Sequence, residues 1–508
     1  MVVGIFEIFA YFTAVFLLLY YYFSWPLNYW KAQGVNGPKP LPVFGNTKNI
    51  ILGKNTLGDY LRDVYEEYKG EAMIGIFDQS TPILVVKDPD MIKDVLIKDF
   101  PKFAERTRVL NTKVEPLSQH LFRQSAERWR LLRTNLTPIF SSGKLKGMFH
   151  LLMECADHFE RRLEAMVAKG EPIDCREFTA KFTTDVIGSC AFGIEMKALA
   201  DENSEFRKMG RTIFTATWKS FLKDRVREMP MLHKLFGKYV LDNTVADFFT
   251  ELARTTIEHR IENNIQRHDF VDVLVDLKQH PEKLDLAQVE DALLAAQSYA
   301  FFAAGFETSS ITMSNALYEL SMNHEIQDKL RQEIKSVLKQ TDGKIEYGSI
   351  DQMKFLHAVL QETLRKYPPV MYLTRTALAN YTFEGYGQKG VTVSKGQKVV
   401  VPVYAIHHDE DIYPNADIFD PDRFSDDGMK TRHPMNFLPF GDGPRKCIGA
   451  KFAQNQTKVG IIKILMNHKV EVCAKTPREY KIDPKQLFLM QPAHEIPVKI
   501  TRLSETAH

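Results

Sequence analysis

The pattern of apolar positions divides the chain into an N-terminal apolar run and a long body. Residues 2–23 (VVGIFEIFAYFTAVFLLLYYYF) carry one charge, Glu7, and as a helix they could cross the roughly 30 Å hydrocarbon layer of a membrane. No Lys or Arg precedes the run, the first basic residues (Lys31 and Lys39) follow it, and bulky aromatics end it. These flanks favour a retained anchor at 1–24 over a cleaved signal peptide and predict a cytosolic body.

A proline-rich connector follows the anchor. The sequence PKPLP at residues 38–42 fixes φ at three positions and favours extended geometry. We predict a linker over residues 25–45, either a plain spacer or a stiff arm that orients the body against the membrane. Residues 46–508 contain no internal repeat and no comparable second linker, which predicts one large domain.

Most of the body has helical spacing, with short strands near its start. Apolar residues at 73–77 and 83–87 flank the turn sequence DQS, a pattern that predicts a strand pair. Asn323 can cap a helix that places Ile326 and Leu330 on one face, with Glu325 and Lys329 as an exposed i,i+4 pair. The expected fold class is mainly α with small β-sheets.

One predicted helix is exceptional in length. A capping-box-like start at Asp285 and the absence of proline up to Leu320 predict a helix of roughly 50 Å. Its middle is apolar except for the sequence AGFET at residues 304–308, where the Gly alone costs about 1 kcal/mol. Either the Thr hydroxyl bonds back to its own helix, or an acid and an alcohol stand beside a reaction centre. The pattern leaves both interpretations open.

Composition and charge narrow the class of protein only moderately. The chain has 508 residues, 44% hydrophobic and 26% charged, with a net charge of +2. These values exclude wholesale disorder, and no global charge recruits nucleic acid. The five cysteines are widely spread without a CxxC pair, so neither a disulfide framework nor a structural zinc site is expected.

The most specific chemistry lies around Cys447. Residues 437–449 (FLPFGDGPRKCIG) surround this thiol with glycines, prolines and Arg445. Backbone N–H groups and positive charge favour a thiolate that can bind a metal. One thiolate cannot hold structural zinc, but it can be the axial ligand of a haem. The plainer alternative is a buried cysteine that only fills space.

The loop contains the full pattern F-x-x-G-x-R-x-C-x-G at Phe440, Gly443, Arg445, Cys447 and Gly449. It resembles the haem-binding loop of cytochrome P-450 monooxygenases. Other segments similar to that family occur in its order: 129–133 (WRLLR), 304–308 (AGFET), 362–365 (ETLR) and 421–424 (PDRF, with Asp for Glu). The resemblance extends from the anchor to the C-terminus. Two further segments resemble those of the microsomal, insect xenobiotic-metabolising branch of the family: 141–146 (SSGKLK) and 183–193 (TTDVIGSCAFG).

The resemblance implies the cytochrome P-450 fold and a haem b cofactor with Cys447 as its axial thiolate. Phe440 would shield the sulfur, and Gly443 and Gly449 would let backbone approach the macrocycle. The planar guanidinium group of an arginine can donate two parallel hydrogen bonds to a carboxylate, and the haem propionates are carboxylates. The residues that match this task are Arg133, Arg375, Arg445, Trp129 and, more weakly, Arg106.

Further site residues follow from the same resemblance. Thr308 would relay a hydrogen bond in proton delivery, and Glu307 would link it to solvent. Three residues are expected to be structural, locking the region behind the haem: Glu362, Arg365 and Arg423. The expected lining of an apolar pocket is Ala300, Ala303, Ala304, Val370, Met371, Leu373 and Leu487, with Phe488 and the 105–122 stretch as looser candidates.

The implied activity is an NADPH- and O₂-dependent insertion of one oxygen atom into apolar compounds, either xenobiotic and plant compounds or endogenous lipophiles. No G-x-G-x-x-G follows a strand, so electrons would come from a separate flavoprotein, NADPH–cytochrome P-450 reductase of the endoplasmic reticulum membrane, with cytochrome b5 a second candidate partner. Basic residues expected on the docking face are Arg123, Arg128, Arg130, Lys144, Lys146, Lys446, Lys451 and Lys458. Alternatives are a haem-thiolate peroxide isomerase and a non-catalytic haem- or lipophile-binding protein.

Overall fold

The computed structural model describes residues 2–106, 110–215, 243–385, 390–425, 432–486 and 488–503, together with 226, 227, 231 and 233–235. Their helices are α1 (Val2–Ser24), α2 (Tyr29–Ala32), α3 (Lys48–Ile51), α4 (Leu57–Glu67), α5 (Pro89–Lys93), α6 (Ala126–Leu136), α7 (Ser142–Gly147), α8 (Phe149–Val167), α9 (Cys175–Ile187), α10 (Glu205–Phe214), α11 (Thr244–Glu262), α12 (Phe270–Gln279), α13 (Asp291–Met322), α14 (His324–Leu338), α15 (Tyr347–Gln352), α16 (Lys354–Lys366), α17 (Val403–His407) and α18 (Ala450–Leu465).

The strands are β1 (Met73–Asp78), β2 (Thr81–Val86), β3 (Ile173–Asp174), β4 (Leu373–Thr376), β5 (Tyr381–Phe383), β6 (Val391–Val393), β7 (Lys398–Val401), β8 (His468–Val472) and β9 (Pro497–Arg502). They form sheets in the orders β1-β2-β7-β4, β3-β9-β8 and β5-β6. Among these described strands, only β2 and β7 pair in parallel. The expected mainly α class with small sheets is confirmed.

The predicted strand pair near the start of the body is confirmed. β1 and β2 are antiparallel, in register from Met73 opposite Val86 to Asp78 opposite Thr81. Gln79 has a left-handed φ of 54° in the turn between them, so the two strands are joined tightly. β1 and most of β2 are buried, because the sheet is covered on both faces.

Helix α13 is the centre of the helical core. Its 32 residues give a length of about 48 Å, and most of its side chains are buried against α9, α11 and α18. Its predicted start at Asp285 is wrong. Asp285 ends a short 3₁₀ turn in the left-handed region (φ 54°), and the helix begins six residues later, at Asp291.

Helix α14 begins where predicted, with Asn323 at its N-cap. The Asn323 amide nevertheless donates back to the Glu319 carbonyl at 2.8 Å rather than capping α14. Lys329 pairs with Asp422 across 2.9 Å, not with Glu325 as predicted. The long-range ion pair joins α14 to the turn at 421–424, a contact that helical spacing cannot reveal.

The N-terminal segment has two parts with different environments. Helix α1 is apolar and stands free of the body, and by length and composition it could span a membrane. Residues of the connector are docked instead: Trp30 is buried, and its indole donates to the Ile76 carbonyl at 3.0 Å. The connector therefore runs along the edge of β1.

Candidate functional site

The loop before α18 holds Cys447 in a closed turn. The Cys447 N–H donates to the Phe440 carbonyl and the Lys446 N–H to the Gly443 carbonyl, both at 2.9 Å. Gly443 has a φ of 73°, and a Cβ there would lie 1.9 Å from the Leu96 carbonyl oxygen. Only glycine allows this approach, so the motif glycine fixes the loop against the segment 94–98.

The Cys447 thiol faces a space enclosed by protein. Cys447 is accessible to solvent-sized molecules, yet many protein groups surround its thiol. The desolvation that they cause is the largest influence on the pKa of the thiol and raises it. The Gly449 N–H and the charges of Arg106, Arg133 and Lys446 oppose that rise by favouring the thiolate. Gly449 is also the N-cap of α18, so the sulfur lies at the positive end of a helix.

Four predicted cofactor-binding arginines gather beside this thiol. Burial, followed by the charge of a neighbouring arginine, lowers the pKa of Arg106, Arg375 and Arg445 to about 9, and burial lowers that of Arg133. Arg445 stacks on the Trp129 ring at 4.5 Å, and Arg106 donates to the Arg445 carbonyl. Within the described part of the chain, no carboxylate pairs with these arginines.

Buried N–H groups of the cluster lack acceptors. Arg375 and Arg445 are 2% and 1% exposed, and among the described residues the Nε of Arg375 and the Nε and Nη1 of Arg445 have no hydrogen-bond partner. Buried donors are normally satisfied, and unpaired cations are costly. A dianionic group beside Cys447 would satisfy both requirements, so the residues fit the propionates of a haem whose iron the Cys447 sulfur would ligate.

Removing one of these donors should weaken haem retention. We expect Arg375→Met to increase the rate of haem loss by about 10- to 100-fold, the effect of one or more charge-assisted hydrogen bonds. Transfer of haem to apomyoglobin, followed by absorbance, measures that rate. Arg128→Met, at an exposed arginine of α6, is the control; equal losses in both variants would contradict the assignment.

A stripe of small side chains on α13 faces open space. Ala300 and Thr308 are partly exposed and Ala304 is exposed, although most of the helix around them is buried. These residues recur every four positions and share one face; Ala303, at 8% exposure, lies at its margin. Gly305 does not contribute to this space, because a Cβ there would lie 2.6 Å from Ile187 of α9.

Thr308 and Glu307 point in different directions. The Thr308 hydroxyl donates to the Ala304 carbonyl at 2.8 Å, while its residue remains open to the space. Glu307 is 3% exposed and pairs with Arg176 of α9. The Thr308 hydroxyl therefore bonds back to its own helix, as the first interpretation of the AGFET sequence states. That an acid and an alcohol stand beside a reaction centre stays a prediction.

The remaining predicted pocket residues do not all lie at the pocket wall. Val370 pairs with Leu489 in an isolated bridge, and Leu373 lies beside Gly441 of the cysteine loop. Met371 is fully buried among aromatic side chains and against Gly58, so it packs behind the wall rather than in it. Leu487 lies outside the described residues.

The predicted structural triad supports the cysteine loop from behind. Glu362 and Arg365 are fully buried and form a bidentate pair at 2.7 and 2.8 Å. Arg423 is farther away, with Nε 3.6 Å from Glu362 Oε1. Arg365 also donates to the His407 carbonyl at 2.9 Å, which connects the pair to the next element of the site.

His407 is a link that sequence reasoning missed. Its Nε2 accepts a hydrogen bond from the Leu438 N–H at 2.9 Å, and its ring stacks on Phe437 at 5.2 Å. Burial lowers the pKa of His407 to about 3, so the ring is neutral and can accept that bond. The only sequence signal was its place at the end of a short apolar stretch.

Exposed basic side chains lie on α6, on α7, at the start of α18 and in the cysteine loop itself. Arg128 and Arg130 of α6, Lys144 and Lys146 of α7, and Lys446 and Lys451 are exposed. Lys451 donates to Ser142 at 3.2 Å, which joins α18 to α7. Lys458, predicted for the same face, is buried beside His357, so it does not belong to the surface.

The fold and the site together define a haem-binding protein of the thiolate-ligated class. Residues 35–498 match the model of the Cytochrome P450 family. The chain is 38% identical over 487 residues to cytochrome P450 6a2 of Drosophila melanogaster (94% of this chain, 96% of that protein) and 40% identical over 479 residues to cytochrome P450 6A1 of Musca domestica (92% and 93%). It is 35% identical over 485 residues to cytochrome P450 6B1 of Papilio polyxenes (93% and 95%). The chain belongs to the cytochrome P450 monooxygenase family.

Proposed function

We propose that this protein is an NADPH- and O₂-dependent monooxygenase of apolar compounds, including xenobiotics and plant compounds, with haem b as its cofactor. Electrons would come from NADPH–cytochrome P-450 reductase, and α1 would anchor the protein in the endoplasmic reticulum membrane. The observation that carries this proposal is the exposed Cys447 thiol beside buried arginine N–H groups that have no hydrogen-bond partner among the described residues.

The cysteine loop and the arginines have binding roles in this proposal. Haem, when bound, supplies the activation of O₂ and the transfer of one oxygen atom to substrate. Cys447 would ligate the iron, and the closed turn from Phe440 to Cys447 would hold the sulfur in place. Arg106, Arg133, Arg375 and Arg445 would hold the propionates, aided by the Trp129 ring under Arg445.

The open face of α13 would orient the substrate. Ala300, Ala303 and Ala304 present methyl groups without polar atoms, and they leave room for a bulky apolar molecule. Phe488 and Phe122, with ring centroids 5.7 Å apart, would add an aromatic wall. This lining predicts selection by shape and apolar surface.

The basic surface would receive the reductase. Within the described residues, Arg128, Arg130, Lys144 and Lys146 have no carboxylate partner. They lie on α6 and α7; α6 contacts the cysteine loop through Trp129 and Arg445, and α7 contacts α18 through Ser142 and Lys451. Opposite charge on a partner accelerates encounter and fixes orientation. An acidic flavoprotein is the partner that this surface fits, and cytochrome b5 is a second acidic candidate.

Reconstitution tests the function directly. The purified protein with haem, reductase, NADPH and O₂ should convert at least one member of a panel of testosterone, limonene and 7-ethoxycoumarin to a product heavier by one oxygen atom or, for 7-ethoxycoumarin, to 7-hydroxycoumarin and acetaldehyde. Turnover of a lipid hydroperoxide without NADPH would favour the peroxide isomerase instead. Spectral binding of panel members with no NADPH consumption would favour a lipophile-binding protein.

Thr308 is expected to support proton delivery rather than binding. Thr308→Ala should preserve haem and substrate binding but lower product per NADPH by about 100-fold, the lower end of the range of acid–base contributions, with peroxide released instead. Peroxide and product are measured together against NADPH consumed. Thr312→Ala removes another hydroxyl of α13, bonded to the Thr308 carbonyl, and should keep coupling; unchanged coupling in Thr308→Ala would exclude the relay.

A further inference from the structure

Glu307 is held by two donors that both bind the same carboxylate oxygen. Arg176 of α9 pairs with Oε1 and also donates to the Ser310 hydroxyl at 2.8 Å. The Gln491 amide donates to the same Oε1 at 2.7 Å. Among the described residues, Oε2 has no hydrogen-bond partner. The carboxylate is thus tethered on one oxygen, on the side of α13 that turns away from Thr308.

Gln491 belongs to a hairpin near the C-terminus. The Asp483 N–H donates to the Gln491 carbonyl at 2.9 Å, and the Ala493 N–H to the Lys481 carbonyl at 2.8 Å. Residues 481–486 and 488–493 form this C-terminal hairpin, with Ile482 opposite Pro492. Gln491 is therefore fixed to a paired backbone, not to a free tail.

The same strand of the C-terminal hairpin reaches the proposed pocket wall. Phe488 packs against Phe122 and Tyr372, with ring centroids 5.7 and 6.2 Å away. Leu489 bridges to Val370, and Met490 donates to the Pro369 carbonyl at 2.9 Å. At about 3.3 Å per residue, Gln491 lies only about 7 Å along the backbone from Leu489.

We propose that Gln491 is a positioning residue that couples occupancy of the pocket to the freedom of Glu307. A substrate that displaces Phe488 and Leu489 shifts the Gln491 amide and leaves Oε1 with Arg176 alone. The carboxylate can then turn toward Thr308 and exchange a proton with it. This inference rests on the proposed function, in which Glu307 and Thr308 deliver protons.

Small displacements suffice for this coupling. A shift of about 1 Å stretches a 2.7 Å bond beyond hydrogen-bonding distance. Arg176 keeps the buried carboxylate neutralised throughout, so release of one bond does not require a charge to be buried alone. The arrangement would restrain proton delivery while the pocket is empty, when reduction of O₂ yields only peroxide or water.

Matched variants of the C-terminal hairpin test the coupling. Gln491→Met keeps length and removes the donor; Gln486→Met makes the same change at an amide that donates to the Phe214 carbonyl at 3.1 Å. Without substrate, Gln491→Met should raise NADPH oxidation by about tenfold, as expected for loss of one hydrogen bond to a charged group. Gln486→Met should behave as the unmodified protein.

Hydrogen–deuterium exchange supplies a readout independent of turnover. In the unmodified holoprotein, the panel compound with the largest Soret shift should change exchange in peptides covering 488–493 and also 305–312. In Gln491→Met, the change should remain at 488–493 and disappear at 305–312. The Soret titration should give a Kd lower by up to about tenfold in Gln491→Met, because substrate no longer has to break the Gln491–Glu307 hydrogen bond.

Three outcomes would overturn the inference. The first is that Gln491→Met leaves NADPH oxidation without substrate unchanged. The second is that substrate still changes exchange at 305–312 in Gln491→Met. The third is that Gln486→Met has an equal effect, since this would indicate general damage to the hairpin. Failure of the proposed function is distinguishable, because it would appear as absence of oxygenated product in the unmodified protein while coupled exchange persists.

Discussion

Cys447→Ala is expected to keep the fold and lose both the thiolate-ligated haem spectrum and NADPH-dependent product formation. The thiol is open to the enclosed space beside the arginine cluster, and no other described cysteine is: Cys155, Cys175 and Cys190 are buried in the core. The red-shifted Soret band of the reduced carbonyl complex reports the iron–sulfur bond. Its loss, with haem still held by the arginines, is the expected result.

Cys473→Ala is the matched control. Cys473 is partly exposed and hydrogen-bonds with Thr476 at 3.4 Å, away from the cysteine loop. Its removal should leave the carbonyl spectrum and turnover unchanged. A red-shifted band that survives in Cys447→Ala would contradict the ligand assignment.

Arg365→Leu is expected to lower the free energy of unfolding by about 3–5 kcal/mol, the usual loss when one partner of a buried ion pair is removed. Glu362 would remain fully buried without its bidentate partner, and the His407 and Ala416 carbonyls would lose their donor. Urea unfolding of the apoprotein, followed by circular dichroism, measures the loss. Haem retention should fall in parallel.

Two further variants make this test specific. Arg423→Leu should cost much less, since its Nε lies 3.6 Å from Glu362 and the pair is looser. The double variant Glu362→Leu/Arg365→Leu should recover part of the loss, because it removes the stranded charge. If Arg365→Leu and Arg423→Leu were equally stable, the bidentate pair would not be the anchor of this region.

The parts of the site that could be predicted from the sequence are those whose residues lie close together in the chain. In the cysteine loop, the motif glycine Gly443 stands where the backbone approaches Leu96, and the motif arginine Arg445 stands two residues before Cys447. The positions that the motif specifies are therefore those that the observed loop requires. The Glu362–Arg365 pair is one helical turn apart and meets on one face. The cofactor arginines lie far apart in sequence, and only family resemblance brought them together before the structure did.

The parts that escaped prediction depend on partners distant in the chain. Helical spacing gives the angle between Glu307 and Thr308, but it does not show that Arg176, 131 residues away, holds the carboxylate on the side of the helix away from Thr308. Likewise, Met371 was predicted as a residue of the pocket wall, yet packing against Gly58 places it behind that wall. The start of α13 was misplaced because Asp285 adopts a left-handed turn, which an Asp tolerates without any sequence signal.

The crowding of like charges beside Cys447 has a consequence for the lifetime of the protein. Without the anionic haem, the apoprotein keeps four arginines that repel one another inside the fold. Part of the free energy of unfolding of the native protein is therefore gained only when haem binds. Ligand binding to the folded state adds about 2.7 kcal/mol at a free concentration 100 times the Kd. Abundance in a cell should therefore follow haem supply: chains made faster than haem is delivered would unfold more often and meet the degradation machinery first.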